Sequence, residues 1–240
     1  MTRIKLWQDR RHSWNESPED PLFIGHFALG FAARRALPRV SLGTAFCAAQ
    51  FVDLLWPTML LFGVETVRIA PGATVVTPLV FEHYPVTHSL LAVLLWAFAF
   101  AAVHWMWRRN ARAALVLGAL VLSHWVLDAL VHIPDLPLVP GGDARVGLGL
   151  WQSRAATLLV EVPLFVAGVW LYTRGTRPLD RAGRWGLVGL VVLLAVIHAA
   201  NVFGPPPPDV SAIAWLGHAQ WLLVLWAWWV DRHRQAFQAR

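Results

Sequence analysis

Apolar residues in this chain fall into long runs separated by short polar or proline-containing breaks. Seven runs stand out, over residues 22–37, 40–64, 88–107, 113–133, 155–172, 186–203 and 212–230. Most approach or exceed the roughly 20 residues a helix needs to cross a hydrocarbon core of about 30 Å. No strict alternation of apolar and polar positions marks them as strands of a membrane barrel. The breaks contain Pro71-Gly72, the stretch 134–142 and the four prolines 205–208, which stop helices. The pattern predicts an all-α fold, a polytopic bundle of six to seven transmembrane helices. One integral membrane domain should occupy residues 21–240, behind a polar segment over residues 1–20 that lacks the apolar core of a signal peptide. The first run, interrupted by Arg34 and Arg35, is short: as a helix it covers about 24 Å. A tilted, membrane-thinning or partly re-entrant segment fits it.

Composition supports this picture. Of 240 residues, 57% are hydrophobic and 14% charged, and mean hydropathy is +0.51. Soluble domains run nearer half apolar and about a quarter charged. The single Cys47 excludes an internal disulfide and any Cys-x-x-Cys motif. A net charge of +6 would suggest nucleic acid in a soluble protein. Here the bases, arginines apart from Lys5, sit in short clusters between apolar runs, which is the signature of membrane topology, so no nucleic-acid partner is expected. Arg34, Arg35, Arg39, Arg108, Arg109, Arg112, Arg174, Arg177, Arg181, Arg184, Arg232, Arg234 and Arg240 share one side, thirteen in all. The opposite loops hold three, Arg68, Arg145 and Arg154. The positive-inside rule therefore puts the thirteen, and the C-terminus, in the cytoplasm. Gly183, Gly186 and Gly189 form a small-residue stripe that would let helices approach closely.

Ionisable groups in apolar runs are costly and point to function. His26, Asp53, Glu65, Glu82, His83, His88, His124, Asp128 and His132 all fall at similar depth toward the extracytoplasmic side. His124, Asp128 and His132 are spaced i, i+4, i+8, so a continuous helix would carry them on one face. Imidazole and carboxylate are natural ligands for zinc, manganese or a related divalent ion. His198 and His218 are solitary and suit packing or proton relay, and Glu161, near Pro163, suits pairing with Arg154 or lining a cavity. The opposing interpretation is that each polar residue only holds helices together by hydrogen bonding.

Four motifs then resemble a known family. Gly25-His26 opens the first run and Phe51-Val52-Asp53 lies in the second. His83-Tyr84-Pro85-Val86-Thr87-His88-Ser89-Leu90 leads into the third, and Ser123-His124-Trp125-Val126-Leu127-Asp128 lies in the fourth. In order and spacing they look like the YdjM-like family of bacterial inner-membrane proteins, described as metal-dependent hydrolases. The resemblance covers about residues 21–140. It departs where the family tends to carry a second aspartate and a histidine beside Asp53, where an Arg-Gly is missing after His83, and in one extra residue between His83 and His88.

The expectation is a membrane hydrolase acting at the extracytoplasmic face on a lipid-linked ester or phosphoester. Its divalent metal, zinc or manganese, would sit on His26, Asp53, His88, His124 and Asp128, with His132 and Glu65 as additional candidates. His83 or Glu82 would transfer protons. The rivals are an ion- or proton-coupled transporter or channel using the same His/Asp cluster, a non-enzymatic structural membrane protein, and a weaker bis-histidine haem protein. The arginine asymmetry generates a direct test: single cysteines introduced near Arg109 and Arg177 should resist labelling in intact cells, and those near Gly72 and Gly142 should react. The reverse pattern overturns the orientation.

Overall fold

The computed structural model describes residues 23–237; the polar segment 1–20, and Arg240 among the clustered arginines, lie outside the described residues. The fold is an all-α bundle. Its helices are α1 (Ile24–Ala36), α2 (Leu42–Ala49), α3 (Phe51–Leu61), α4 (Leu90–Arg108), α5 (Ala111–Val131), α6 (Arg154–Gly175), α7 (Arg181–Phe203) and α8 (Val210–Arg232). Helices α4 to α8 are each long and apolar enough to cross a membrane. Together α2 and α3 make a sixth candidate span, bent by 55° at Gln50. Helix α1, at 13 residues, covers only about 20 Å.

Local chemistry sets the helix starts. Ser41, Ser89, Asn110, Ser153, Asp180 and Asp209 each accept a hydrogen bond from the backbone N–H three residues on, capping α2 and α4 to α8. Helix α1 has no such residue, since Phe23 stands at its cap. Its cap comes from α6 instead: the buried Glu161 carboxylate accepts from the N–H groups of Phe23 and Gly25, both at 3.3 Å. The other end of α1 is also tied. Arg34, buried rather than interrupting a membrane face, pairs with Asp231 of α8 through Nε and Nη2, both at 3.2 Å, and Asp231 also accepts from the Tyr172 hydroxyl.

Helix α5 is the centre of the bundle, with half of its apolar window buried against 17% for α4. The outward surfaces stay apolar, as Leu95, Phe98, Leu159, Val166 and Leu222 illustrate, which is the surface a helix presents to lipid. Glycines allow close approach at two seams. A Cβ at Gly168 would collide with the Ala28 backbone of α1, and Cβ atoms at Gly186 and Gly189 would meet Trp229 and Trp226 of α8. The stripe expected from Gly183, Gly186 and Gly189 is thus the α7–α8 contact.

Strands are confined to loops. An antiparallel hairpin of β1 (Thr66–Ile69) and β2 (Leu79–His83) lies between α3 and α4. Its Val67, Leu79 and Phe81 pack with Leu127, Val131 and Trp151. At the opposite end, β5 (Thr176–Pro178) pairs with β6 (Arg234–Ala236), joining the arginine-bearing loops; β3 (Leu136–Pro137) and β4 (Arg145–Val146) form a third small pair. Because the α1–α6 seam has no spare volume at Gly168, Gly168→Val should destabilise the protein by about 1–3 kcal/mol, through overpacking. Thermal unfolding in detergent would check this, with exposed Val166→Ala as the control.

Candidate metal centre

Three helices and one turn bring His26, Asp53, His88, His124 and Asp128 together. His26 comes from the first turns of α1, Asp53 from the first turn of α3, and His124 and Asp128 from one face of α5. His88 lies in the turn just before α4, which starts at Leu90 behind its Ser89 cap. The acidic Asp53 lies where the positive end of the α3 dipole complements a carboxylate.

The distances are short and convergent. His26 Nε2 lies 3.2 Å from Asp128 Oδ1. His88 Nε2 lies 3.3 Å from Asp53 Oδ1 and 3.8 Å from Asp128 Oδ2. His124 Nε2 is 3.5 Å from Asp53 Oδ1 and 3.4 Å from Asp128 Oδ2. The His26 and His124 rings stack at 3.7 Å, only 5° from parallel. Two overlapping sets, His26/His124/Asp128 and Asp53/His88/His124, each offer three ligand atoms within 4.8 Å of one another. All are buried except Asp53, whose side chain keeps 23% of its surface.

Hydrogen bonds on the far side of two rings decide which nitrogen faces the cluster. His124 Nδ1 lies 2.8 Å from the Ala49 carbonyl, which only accepts, so Nδ1 carries the hydrogen. Ala49 is the last residue of α2, where carbonyls have no partner within the helix. His88 Nδ1 lies 2.7 Å from Thr87 Oγ1, whose own hydrogen goes to Glu65 at 2.6 Å, so the hydroxyl accepts from the ring. Glu65 is buried and also accepts from the N–H groups of Val86 and Thr87 at 2.7 and 2.9 Å. In neutral rings both Nε2 lone pairs therefore point at the carboxylates of Asp53 and Asp128.

That arrangement is unfavourable unless a positive charge lies between the groups. Asp128 Oδ2 is buried and has no hydrogen-bond donor, although two imidazole nitrogens lie within 3.8 Å. A divalent cation fits this donor set, because nitrogen and oxygen ligands face one another with their hydrogens directed away. His124 would offer one ligand atom to a bound cation. Asp128, with Oδ1 toward His26 and Oδ2 toward His88 and His124, would offer either oxygen.

The remaining sequence candidates are distributed differently. Glu65 does not enter either ligand set; it anchors the turn that presents His88. His132, the C-cap of α5, keeps a helical φ of −59° and donates its backbone N–H to the Asp128 carbonyl at 2.8 Å; it lines the same cavity as the cluster but enters neither ligand set. Its Nδ1 lies 2.9 Å from Asp135 Oδ1, and its ring packs on Trp151. Tyr84 donates to the same Asp135; burial and that carboxylate push its hydroxyl well above the ordinary phenol range. Glu82 and His83, the expected proton-transfer groups, are both exposed on β2, and Glu82 pairs with Arg68 at 2.8 Å. A β-bulge explains the two consecutive exposed residues: Thr66 pairs with His83 but Val67 with Phe81, so Glu82 is the extra residue. Glu161 caps α1, with His198 Nδ1 at 3.8 Å, and His218 bonds Thr58 across the α3–α8 contact.

The cluster forms one wall of a cavity of about 570 Å³. The opposite walls are apolar and come from α7 and α8, including Leu193, Ile197, Ile213, Leu216 and Leu223. Thr87 and the Ala49 carbonyl were not singled out by the sequence; Thr87 could have been, as a hydroxyl beside a candidate ligand. Thr87→Val should weaken divalent-metal affinity by roughly 10–100-fold by leaving His88 Nδ1 without an acceptor, whereas Thr87→Ser should retain it. Metal titration of the purified variants checks both.

Comparison with known proteins agrees with the placement of these motifs: the YdjM inner membrane protein family matches residues 22–204, well past the cluster and through α7. No curated protein and no solved structure matches the chain.

Proposed function

The chain belongs to the YdjM inner membrane protein family, and on that premise we propose that it is a metal-dependent hydrolase of a lipid-linked ester or phosphoester, acting at the extracytoplasmic face of the bacterial inner membrane. One observation carries this reading: imidazole nitrogens and carboxylates converge within ligand distance of one another, with the buried Asp128 Oδ2 left without a donor, in the wall of a largely apolar cavity. His26, Asp53, His88, His124 and Asp128 hold the ion, with zinc and manganese the best matches to mixed nitrogen and oxygen ligands. A bound divalent ion supplies Lewis acidity and a water of lowered pKa.

The chain's own groups do the rest. Ala49 and, through Thr87, Glu65 fix the two rings, so that His124 and His88 keep their lone pairs on the ligand side. Asp53, the most accessible member, orients the polar part of a substrate at the cavity wall. The apolar surface of α7 and α8 receives its hydrocarbon part and excludes water. Glu82 and His83 have no role in this reading, since both are exposed outside the buried cluster. The arginine distribution supports a cytoplasmic C-terminus, with the cluster toward the other face.

A second reading has its own observation. The span formed by α2 and α3 is broken at Gln50, beside Asp53, and interrupted helices line ion sites in transporters. Metal analysis and liposome flux separate the two. Protein purified without chelator and resupplied with zinc or manganese should hold stoichiometric metal and give no flux. His124→Ala and Asp128→Ala should lose most of it, while His83→Ala and His198→Ala keep it. A wild-type protein that holds no divalent metal overturns the hydrolase, and ion flux in that case supports the transporter.

A further inference from the structure

The opposite end of the bundle carries a second cavity, of about 600 Å³, that shares no residue with the metal centre. Five segments converge on it: the α1–α2 connection at Arg39 and Ser41, α2 at Thr44, the end of α4 at Arg108, the start of α5 at Asn110, and the end of α8 at Trp228 and Arg232. Its charge is one-sided. Asp231, the one carboxylate in its wall, is already neutralised by Arg34, which engages both of its oxygens. Among the described residues, no carboxylate forms an ion pair with Arg39, Arg108 or Arg232. Three guanidinium groups without an ion-pair partner among the described residues thus line one cavity.

The framework beneath them is ordered. Ser41 caps α2 and Asn110 caps α5, so two helix N-termini add partial positive charge to the same space. Thr44 accepts from the Trp228 indole N–H at 3.2 Å and contacts the Ser41 hydroxyl at 2.8 Å. The Arg108 guanidinium lies 4.2 Å over the Trp107 ring, which holds it at the edge of the cavity. Arginines supply planar, paired donors suited to phosphate oxygens, and basic pockets between helices at a membrane surface take anionic headgroups.

We propose that this cavity is a binding site for a phosphate-bearing anion, with Arg39, Arg108 and Arg232 as its charged ligands. The chemistry is that of a phosphate mono- or diester, which an anionic phospholipid of the adjoining leaflet or a soluble phosphorylated compound both present. The site is independent of the hydrolase reading, because it uses none of the same residues. Its lining comes from α2, α4, α5 and α8, so an occupant would contact four helices at once.

Thermal unfolding of the full chain in detergent, titrated with defined probes, tests the site. Phosphatidylglycerol should raise the unfolding temperature saturably, whereas phosphatidylcholine should not. Pyrophosphate distinguishes the sources: stabilisation by phosphatidylglycerol alone assigns a lipid headgroup, and stabilisation by pyrophosphate as well assigns the phosphate chemistry whatever its carrier. Glutamine replacement should raise the titration midpoint roughly fivefold per arginine and about a hundredfold for the triple variant R39Q/R108Q/R232Q. A control variant, R112Q/R184Q, removes exposed arginines at the same end without touching the cavity and should leave the midpoint unchanged. Equal stabilisation by phosphatidylcholine, no saturable response to any probe, or an equal loss in the control and the triple variant would each overturn the site. All five side chains are exposed, so the variants should fold; a size-exclusion profile matching the wild type confirms that a lost response is lost binding.

Discussion

Two carboxylates and two imidazole lone pairs pointed at one another inside an apolar bundle demand a positive charge between them. In water such groups would be solvated separately. In a low-dielectric interior their mutual repulsion persists unless a proton or a cation is shared. The surroundings preserve the demand instead of relieving it. Ala49 and Thr87 hold the ring hydrogens on the far side, and Glu65 spends both of its oxygens keeping Thr87 in that role. The centre is thus built to attract charge, and α5, the most buried of the long helices, is its spine.

Helix α1 shows how much of the bundle serves that centre. It is too short to cross a membrane unaided, and it begins without a capping side chain of its own. Glu161 supplies the cap at one end and Asp231 holds Arg34 at the other, so α6 and α8 together set the position of His26. The final helices have a second role as apolar walls of the cavity that the cluster faces. The family match ends at residue 204, before α8, yet α8 supplies Ile213, Leu216 and Leu223 to that wall.

Helix class, the long spans and the five convergent side chains were legible in the sequence because long apolar runs tolerate few ionisable residues, and those few must find one another. His124 and Asp128 were legible for a further reason: i, i+4 spacing on a continuous helix guarantees a shared face. His132, at i+8, lines the same cavity, but its imidazole bonds Asp135 and joins neither ligand set. Glu82 and His83 lie outside the buried cluster for a local reason, a bulge that turns two successive side chains outward. Hydropathy carries no trace of that. The break at Gln50 was hidden inside a single apolar run, since either a straight or a bent helix satisfies the same composition. Backbone carbonyls that orient a ring have no sequence signature at all.

The bend at Gln50 bears on His124 in a way that chain continuity alone would not suggest. A carbonyl at the end of α2 is available to an imidazole only because the helix does not run on through it. Residues 42–61 as one straight span would draw the Ala49 carbonyl into the backbone ladder and leave His124 free to present either nitrogen. Helix regularity and ring orientation thus compete for a single oxygen atom, and in this protein the regularity of a membrane span has been given up to aim a side chain.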